Sequence, residues 1–229
     1  MSPRDTASDA GLPPRIDAPS AAAGLQSREA VLEIPGEVRL HHGGVLQGVR
    51  VAWRLSGPGQ APVIAALGGI SAGRRVYSTE DVASGWWHEV VGPGLALPAE
   101  QFRILSFDFL GGSGDTSGPR AGAPFPSVST YDQAELLLNH LGIKALRGIV
   151  GASYGGMVAL AFAERYPDRV SQLVVLSAAD RTHPMATAWR SVQRRIVRLA
   201  QAQAVAREGL ALARALAMST YRSPEEFAA

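Results

Sequence analysis

Apolar positions recur along this chain with two different periods. Between Ala30 and Leu55, "AVLEIP" and "EVRLHHGGVLQGVRVAWRL" alternate apolar and polar residues around a Gly-rich turn, which predicts antiparallel edge strands. "APVIAALGG" is instead a continuous apolar run between Pro62 and the Gly68–Gly69 pair, the pattern of a strand buried on both faces. "FRILSFDFLGG", "LRGIVGAS" and "VSQLVVLSAA" share that character. Helical spacing appears in "STYDQAELLLNHLGI", through Leu136, Leu137 and Leu141, and in the small-residue-rich stretch from Ser153 to Tyr166. Strands alternating with helices predict an α/β architecture built on a mostly parallel sheet, with right-handed crossovers and helices on both faces. From Pro184 to Met218 the strand pattern stops. Almost every residue there is a helix former, and the arginines at 190, 194, 195 and 198 read as a solvated face.

Composition narrows this picture. The chain has 229 residues, 46% hydrophobic, enough for one sizeable core with appendages. A formal net charge of +2 without any long Lys/Arg tract argues against nucleic-acid and lipid-surface partners. The absence of cysteine excludes disulfides, thiolate metal sites and a cysteine nucleophile. No run approaches the ~20 apolar residues of a membrane span, and the apolar stretch near Ala21–Leu25 is too short for a signal sequence. The expected organisation is a disordered Pro/Ala/Ser-rich tail over 1–30, a core over 31–180 and a helical segment over 181–229, in a cytoplasmic protein.

The chemistry is carried by Gly151-Ala152-Ser153-Tyr154-Gly155, a G-x-S-x-G element between a buried strand and a helix. A serine on such a turn has its hydroxyl pushed into the open, and side chains at either glycine would collide with neighbouring backbone. The following helix N-terminus presents N–H groups and a positive dipole end to a developing oxyanion. Ser153 is therefore the candidate nucleophile. The backbone N–H groups of Tyr154 and of Leu67, in the loop after an earlier buried strand, are the candidate oxyanion hole. A second Gly-rich run, "LGGSGDTSG" at 110–118, lacks the Lys-Ser/Thr of a phosphate-binding loop and holds only part of a dinucleotide fingerprint. It reads as a shaped loop beside the site.

Several longer segments resemble the homoserine O-acetyltransferase family of α/β-hydrolase-fold acyltransferases. They are "GWWHEVVGPGLALPAEQFRILSFDFLGGSGDTSGP", "PFPSVSTYDQAELLLNHLGI", "GASYGGMVALAFAERYPDRV" and "REGLALARALAMSTYRSPEEF". The resemblance spans about residues 40–229. It implies transfer of an acetyl or succinyl group from acetyl-CoA or succinyl-CoA, as co-substrate, through a serine acyl-enzyme to L-homoserine, in methionine biosynthesis. It further implies no bound cofactor or metal and a homodimer at full length. On the family pattern Ser153 is the nucleophile, Tyr154 and Leu67 supply the oxyanion donors, and Arg194 in "SVQRRIV" holds the amino acid's carboxylate, with Arg195 as a one-residue alternative. Ala65 stands where a histidine is common, and Ala152 and Tyr154 replace the usual Gly and Met, which leaves acetyl against succinyl and homoserine against serine open.

The partners of Ser153 are the gap in this pattern. His41, His42, His88 and His140 precede it, whereas the α/β-hydrolase order is Ser, then Asp/Glu, then His. His183 follows at only 30 residues, beside Asp180, and reads as a hinge residue before the lid. The resemblance places the triad carboxylate and histidine beyond more lid and two further strands, so the expectation is that residues 1–229 stop short of them and lack turnover. A serine esterase or thioesterase, and an inactive fragment, are the competing readings.

Overall fold

A computed structural model describes residues 26–79, 84–112, 114–120, 123–139 and 143–228. The chain divides into two compact units, one ending at Ala178 and the other beginning at Ala179.

Among the described residues the first unit holds eight strands and two α-helices. They are β1 (Gln26–Arg39), β2 (Val45–Gly57), β3 (Val63–Leu67), β4 (Val91–Gly92), β5 (Leu97–Pro98), β6 (Arg103–Phe107), α1 (Thr130–Asn139), β7 (Gly148–Ala152), α2 (Tyr154–Arg165) and β8 (Leu173–Leu176). Six strands form one sheet in the order β1-β2-β6-β3-β7-β8, and β4 pairs with β5 in a small separate ribbon. The β1–β2 and β2–β6 pairs are antiparallel, whereas β6, β3, β7 and β8 run parallel.

β1 and β2 are the expected antiparallel pair, but β1 begins at Gln26. Residues 26–30, assigned by composition to the tail, are thus strand. Gln26, Ser27 and Arg28 are exposed, as suits an edge strand, whereas Glu29 and Ala30 are half-buried. A register shift between Ile34 and Glu37 lets Pro35 and Gly36, the latter at φ 76°, sit within β1 without breaking it. The rest of the expected tail, His140 and Leu141 lie outside the described residues.

β3 shows why the continuous apolar runs read as buried strands. All five of its residues are buried. Ala65 and Leu67 face a cluster with Phe107, Ile149, Val158 and Phe162, to which α1 and α2 contribute. Ile64 and Ala66 face a second cluster with Val76, Val91, Leu97 and Ile104, flanked by Trp86 and Trp87. Among the described residues α1 and α2 cover one face of the sheet, and the segment carrying β4 and β5 covers the other. β8 carries the apolar run of a doubly buried strand, yet among the described strands it stands at an end of the sheet, with Val174 and Leu176 47% and 42% exposed.

The second unit is helical, as its composition predicts: α3 (Pro184–Ala202), α4 (Ala206–Ser219) and α5 (Pro224–Ala228). Ala204 at φ 59° reverses the chain between α3 and α4, and the Val205 N–H donates to the Ala200 carbonyl at 2.9 Å. Gly209 lets the two helices touch, since a Cβ there would lie 2.1 Å from that of Ala200. Among the described residues no helix is long and apolar enough to cross a membrane.

Candidate active site

Ser153 joins β7 to α2 with φ 54° and ψ −118°, a backbone conformation that L-residues rarely adopt. Hydrogen bonds from two directions hold it there. Its own N–H donates to the Leu176 carbonyl of β8 at 2.9 Å, and the Gly155 N–H donates to the Gly68 carbonyl beyond β3 at 2.8 Å. Its carbonyl in turn accepts from Gly156 and Met157 at 3.0 and 3.2 Å.

The glycines of the motif are demanded by close backbone approach. A Cβ at Gly151 would lie 2.4 Å from the Gly155 carbonyl oxygen, and one at Gly155 would lie 2.2 Å from that of Leu67. Gly156, outside the motif, is needed as well, because a Cβ there would come within 2.6 Å of the Ala178 side chain.

A serine at a helix N-cap usually spends its hydroxyl on an N–H one turn in. Ser153 makes no such bond, and its side chain is exposed. Among the described residues nothing hydrogen-bonds to its Oγ, which leaves it available to react. The Tyr154 N–H, at the first position of α2, has no backbone acceptor among the described residues, and Leu67 pairs with Gly151 across the β3–β7 ladder. The two donors named from sequence thus belong to segments stitched together beside Ser153.

The surroundings of these donors are fixed by residues that sequence reasoning passed over. Trp86 donates its indole N–H to the Gly73 carbonyl at 2.8 Å and lies so close to Gly68 that a Cβ there would meet its ring at 2.7 Å. The turn after β3 is therefore pressed into shape by an aromatic lid. Gln133 of α1 is buried, and its amide grips Leu110 at both backbone atoms, donating to the carbonyl at 2.9 Å and accepting from the N–H at 3.0 Å. The same amide approaches the Tyr154 hydroxyl at 3.5 Å, and the Tyr154 ring stands edge-on to Phe109, with centroids 5.0 Å apart. Burial pushes the Tyr154 phenol above its ordinary pKa, against the opposing Gln133 contact, so it stays protonated at neutral pH. The Ser129-x-x-Asp132 pair caps α1, and the Asp132 carboxylate also takes the His41 N–H at 2.7 Å.

The Gly-rich run after β6 is a shaped loop for a specific reason: it continues the partner of β2 where β6 ends. Thr116 Oγ1 and Ser117 Oγ accept from the Ala52 and Arg50 N–H groups, both at 2.9 Å, and the Ser117 N–H returns a bond to the Arg50 carbonyl at 2.9 Å. Its base is an ion network. Arg74 pairs with buried Asp108, with Glu29 at 2.7 Å and with Asp115 at 2.6 Å, while buried Arg54 holds Glu29 at 2.8 Å. Burial opposes ionisation of Glu29, yet the hydrogen bonds from Arg75, Arg54 and Arg74 bring its pKa down from 4.5 to about 2. These buried charges are tolerated because each is paired.

The described histidines are engaged elsewhere. His41 packs with its ring tilted against those of His42 and Tyr131, and His88 Nδ1 contacts the Gly85 carbonyl at 2.9 Å. In the second unit, His183 caps α3 by accepting from the Met185 N–H at 3.2 Å, while Asp180 pairs with Arg181 at 3.2 Å. Asp180 and His183 are thus committed to different partners. Arg194 and Arg195 separate cleanly on α3. Arg194 lines a groove of about 500 Å³ between α3 and α4, over Val197 and Leu210, whereas Arg195 lies on another face with Val192 and Ile196. Among the described residues no group of three His, Asp or Glu side chains could hold a metal ion.

The strand order, the strained serine between β7 and α2 and the backbone stitching beside it define a class, and the matching family model over residues 66–226 has the same description: the chain belongs to the alpha/beta hydrolase fold family. Within that class its named relatives include acyltransferases. It is 43% identical over 215 residues to a homoserine O-succinyltransferase of Xanthomonas campestris, an alignment covering 92% of this chain and 54% of the relative. It is 33% identical over 220 residues to a serine O-succinyltransferase of Litchfieldella anticariensis, covering 86% and 60%. Among solved structures, a homoserine O-acetyltransferase from Staphylococcus aureus superposes with a TM-score of 0.77 at 26% identity, over 88% of this chain and 61% of that one. The chain thus spans little more than half the length of these relatives.

Proposed function

We propose that this protein takes part in acyl-CoA-dependent O-acylation of L-homoserine, with succinyl-CoA as the first donor to test and acetyl-CoA as the second. The carrying observation is the strained Ser153 with its uncommitted hydroxyl; the likeness to named homoserine and serine O-acyltransferases supports the substrate class. In the first half-reaction Ser153 Oγ attacks the thioester carbonyl, the C–S bond breaks, and CoA leaves as the thiol with the serine's proton. The backbone N–H groups of Leu67 and Tyr154 receive the oxyanion. In the second half-reaction the homoserine hydroxyl attacks the seryl ester and returns a proton to Ser153 Oγ. Arg194 is the proposed anchor for the acceptor's carboxylate. The reading carries with it a cytoplasmic homodimer without a bound cofactor, and acyl-CoA and homoserine as partners.

The test is intact-protein mass spectrometry of the complete gene product after brief exposure to succinyl-CoA or acetyl-CoA. An acyl adduct lost in Ser153→Ala supports the nucleophile, and one that survives the substitution overturns it. Discharge of the adduct by L-homoserine, by L-serine or by water alone then separates the homoserine transferase from the serine transferase and the esterase. Arg194→Ala should lose about 2–4 kcal/mol in kcat/KM for the acceptor while leaving acylation nearly intact. Equal damage to both half-reactions would make Arg194 structural.

A further inference from the structure

We propose that the end of the sheet opposite Ser153 carries a binding site for a small diphosphate-type anion, formed by Arg28, Arg103, Lys144 and Arg147. A cavity of about 640 Å³ opens there, beneath the start of β3 and β7, with these four cations and no carboxylate among its lining residues. Because β3 and β7 run parallel, the nucleophile turn lies at their other ends. Five residues at about 3.3 Å each put roughly 16 Å of buried strand between the two. The cavity is separate from the acyl-transfer site.

Three features mark it as more than a solvated basic surface. First, its cations lack carboxylate counter-ions although they are gathered in one cavity, whereas the other arginine cluster of this unit is neutralised by Glu29, Asp108 and Asp115. Arg54, Arg74, Arg75, Arg165, Arg181 and Arg222 each pair with a carboxylate. Among the described residues none of the four cavity cations does. Alternation along β1 explains the split at one position, since Glu29 points to the face where Arg54 and Arg74 sit, leaving neighbouring Arg28 on the other.

Second, the guanidiniums are held in place. Arg103 donates through Nε to the Ala61 carbonyl at 2.7 Å, which orients its fork and leaves the terminal N–H groups free. Arg28 lies over the Trp53 ring, 5.5 Å from its centroid. The Lys144 segment is fixed from outside, because Arg169 donates to the Lys144 and Ile143 carbonyls at 2.8 and 2.9 Å.

Third, the cations come from three separate segments, the one preceding β7 and those within β1 and β6, and converge on one concavity rather than forming a stripe. A stripe would suit a nucleic acid. A concavity this size exceeds a single phosphate and fits two linked ones, with the planar forks of Arg28 and Arg103 suited to phosphoryl oxygens and Lys144 and Arg147 adding rim charge.

The experiment is a titration of the full chain with inorganic pyrophosphate, followed by phosphorus NMR line shape or calorimetry near physiological ionic strength. Saturable binding in the wild type, weakened about tenfold or more in Lys144→Gln/Arg147→Gln, is the expected result. Both residues are exposed, so their replacement should leave the fold intact. Arg190→Gln/Arg198→Gln removes the same charge from α3 and should leave binding unchanged. No saturable binding, binding retained in the Lys144/Arg147 variant, or equal loss in both variants would each overturn the proposal. Ser153→Ala should bind pyrophosphate like the wild type, so this outcome stands independently of the acyltransferase reading.

Discussion

Gly155→Ala offers the sharpest test of how the nucleophile turn is built. Two effects compete. Alanine is the better helix former by about 1 kcal/mol, and Gly155 is the second residue of α2, so propensity alone predicts stabilisation. Against it stands the geometry: the new methyl would lie 2.2 Å from the Leu67 carbonyl oxygen, 2.4 Å from its carbon and 2.7 Å from the Gly68 oxygen. All three are backbone atoms of a buried strand end, so no side chain can rotate away. Restoring ordinary contact requires α2 to retreat from β3 by about 1 Å, enough to break the 2.8 Å bond from the Gly155 N–H to the Gly68 carbonyl. That bond is worth about 1 kcal/mol, and overpacking adds about 1–3 kcal/mol, with unusually rigid sites above that range. Net destabilisation of about 1–3 kcal/mol, after the propensity gain is subtracted, is expected from urea unfolding followed by circular dichroism. Gly69→Ala, where a Cβ meets nothing within 4 Å, is the control and should change stability by less than about 0.5 kcal/mol. A Gly155→Ala protein within 1 kcal/mol of the wild type would refute the idea that backbone contact fixes this turn.

Ser153→Gly should remove the nucleophile and yet raise stability by about 1 kcal/mol, because relief of the positive φ outweighs the extra freedom of glycine in the unfolded chain; an unchanged or lowered melting temperature would count against strain at Ser153. Gln133→Leu should cost about 2–4 kcal/mol by stranding the Leu110 N–H and carbonyl, and a near-neutral result would mean that the amide is not their essential partner. The lowered pKa of Glu29 makes a statement about acid stability. Its contribution is complete above pH 4.5 and drains away as pH falls toward about 2. Solvent screening at a side chain 23% exposed limits that contribution to about 1–2 kcal/mol. Glu29→Gln should therefore flatten the acid limb of a stability-versus-pH curve, and an identical limb in both proteins would sink the assignment.

The parallel heart of the fold is legible because β3, β6 and β7 each cross a doubly buried layer, and only continuous apolar runs survive there. The nucleophile turn is legible for a local reason, since its glycines answer clashes within a few residues of one another or against the next strand. What escaped the sequence is the set of long-range polar ties. Glu29, Arg54, Arg74 and Asp108 meet across separations of 25 to 45 residues, and each alone looks like an ordinary charge. Gln133 sits in a helix pattern where a polar residue ordinarily faces water. β8 has the composition of a core strand, although among the described strands it stands at an end of the sheet. The start of β1 was hidden by the opposite effect: Gln26, Ser27 and Arg28 read as tail because an exposed edge strand needs no apolar stripe.

The two bonds that hold Ser153 also set a timetable for its appearance during synthesis. The Gly68 carbonyl exists long before the turn is made, but the Leu176 carbonyl that accepts the Ser153 N–H is added 23 residues after the serine. Until that stretch leaves the ribosome and pairs with β7, the Ser153 N–H lacks its acceptor and the serine is held from one side only. A nascent chain therefore carries an immature turn, and the reactive hydroxyl is presented only after the strand behind it has docked. Arrested chains of increasing length, probed by limited proteolysis of the 151–157 turn, should become protected abruptly and not gradually once residue 176 can reach the sheet.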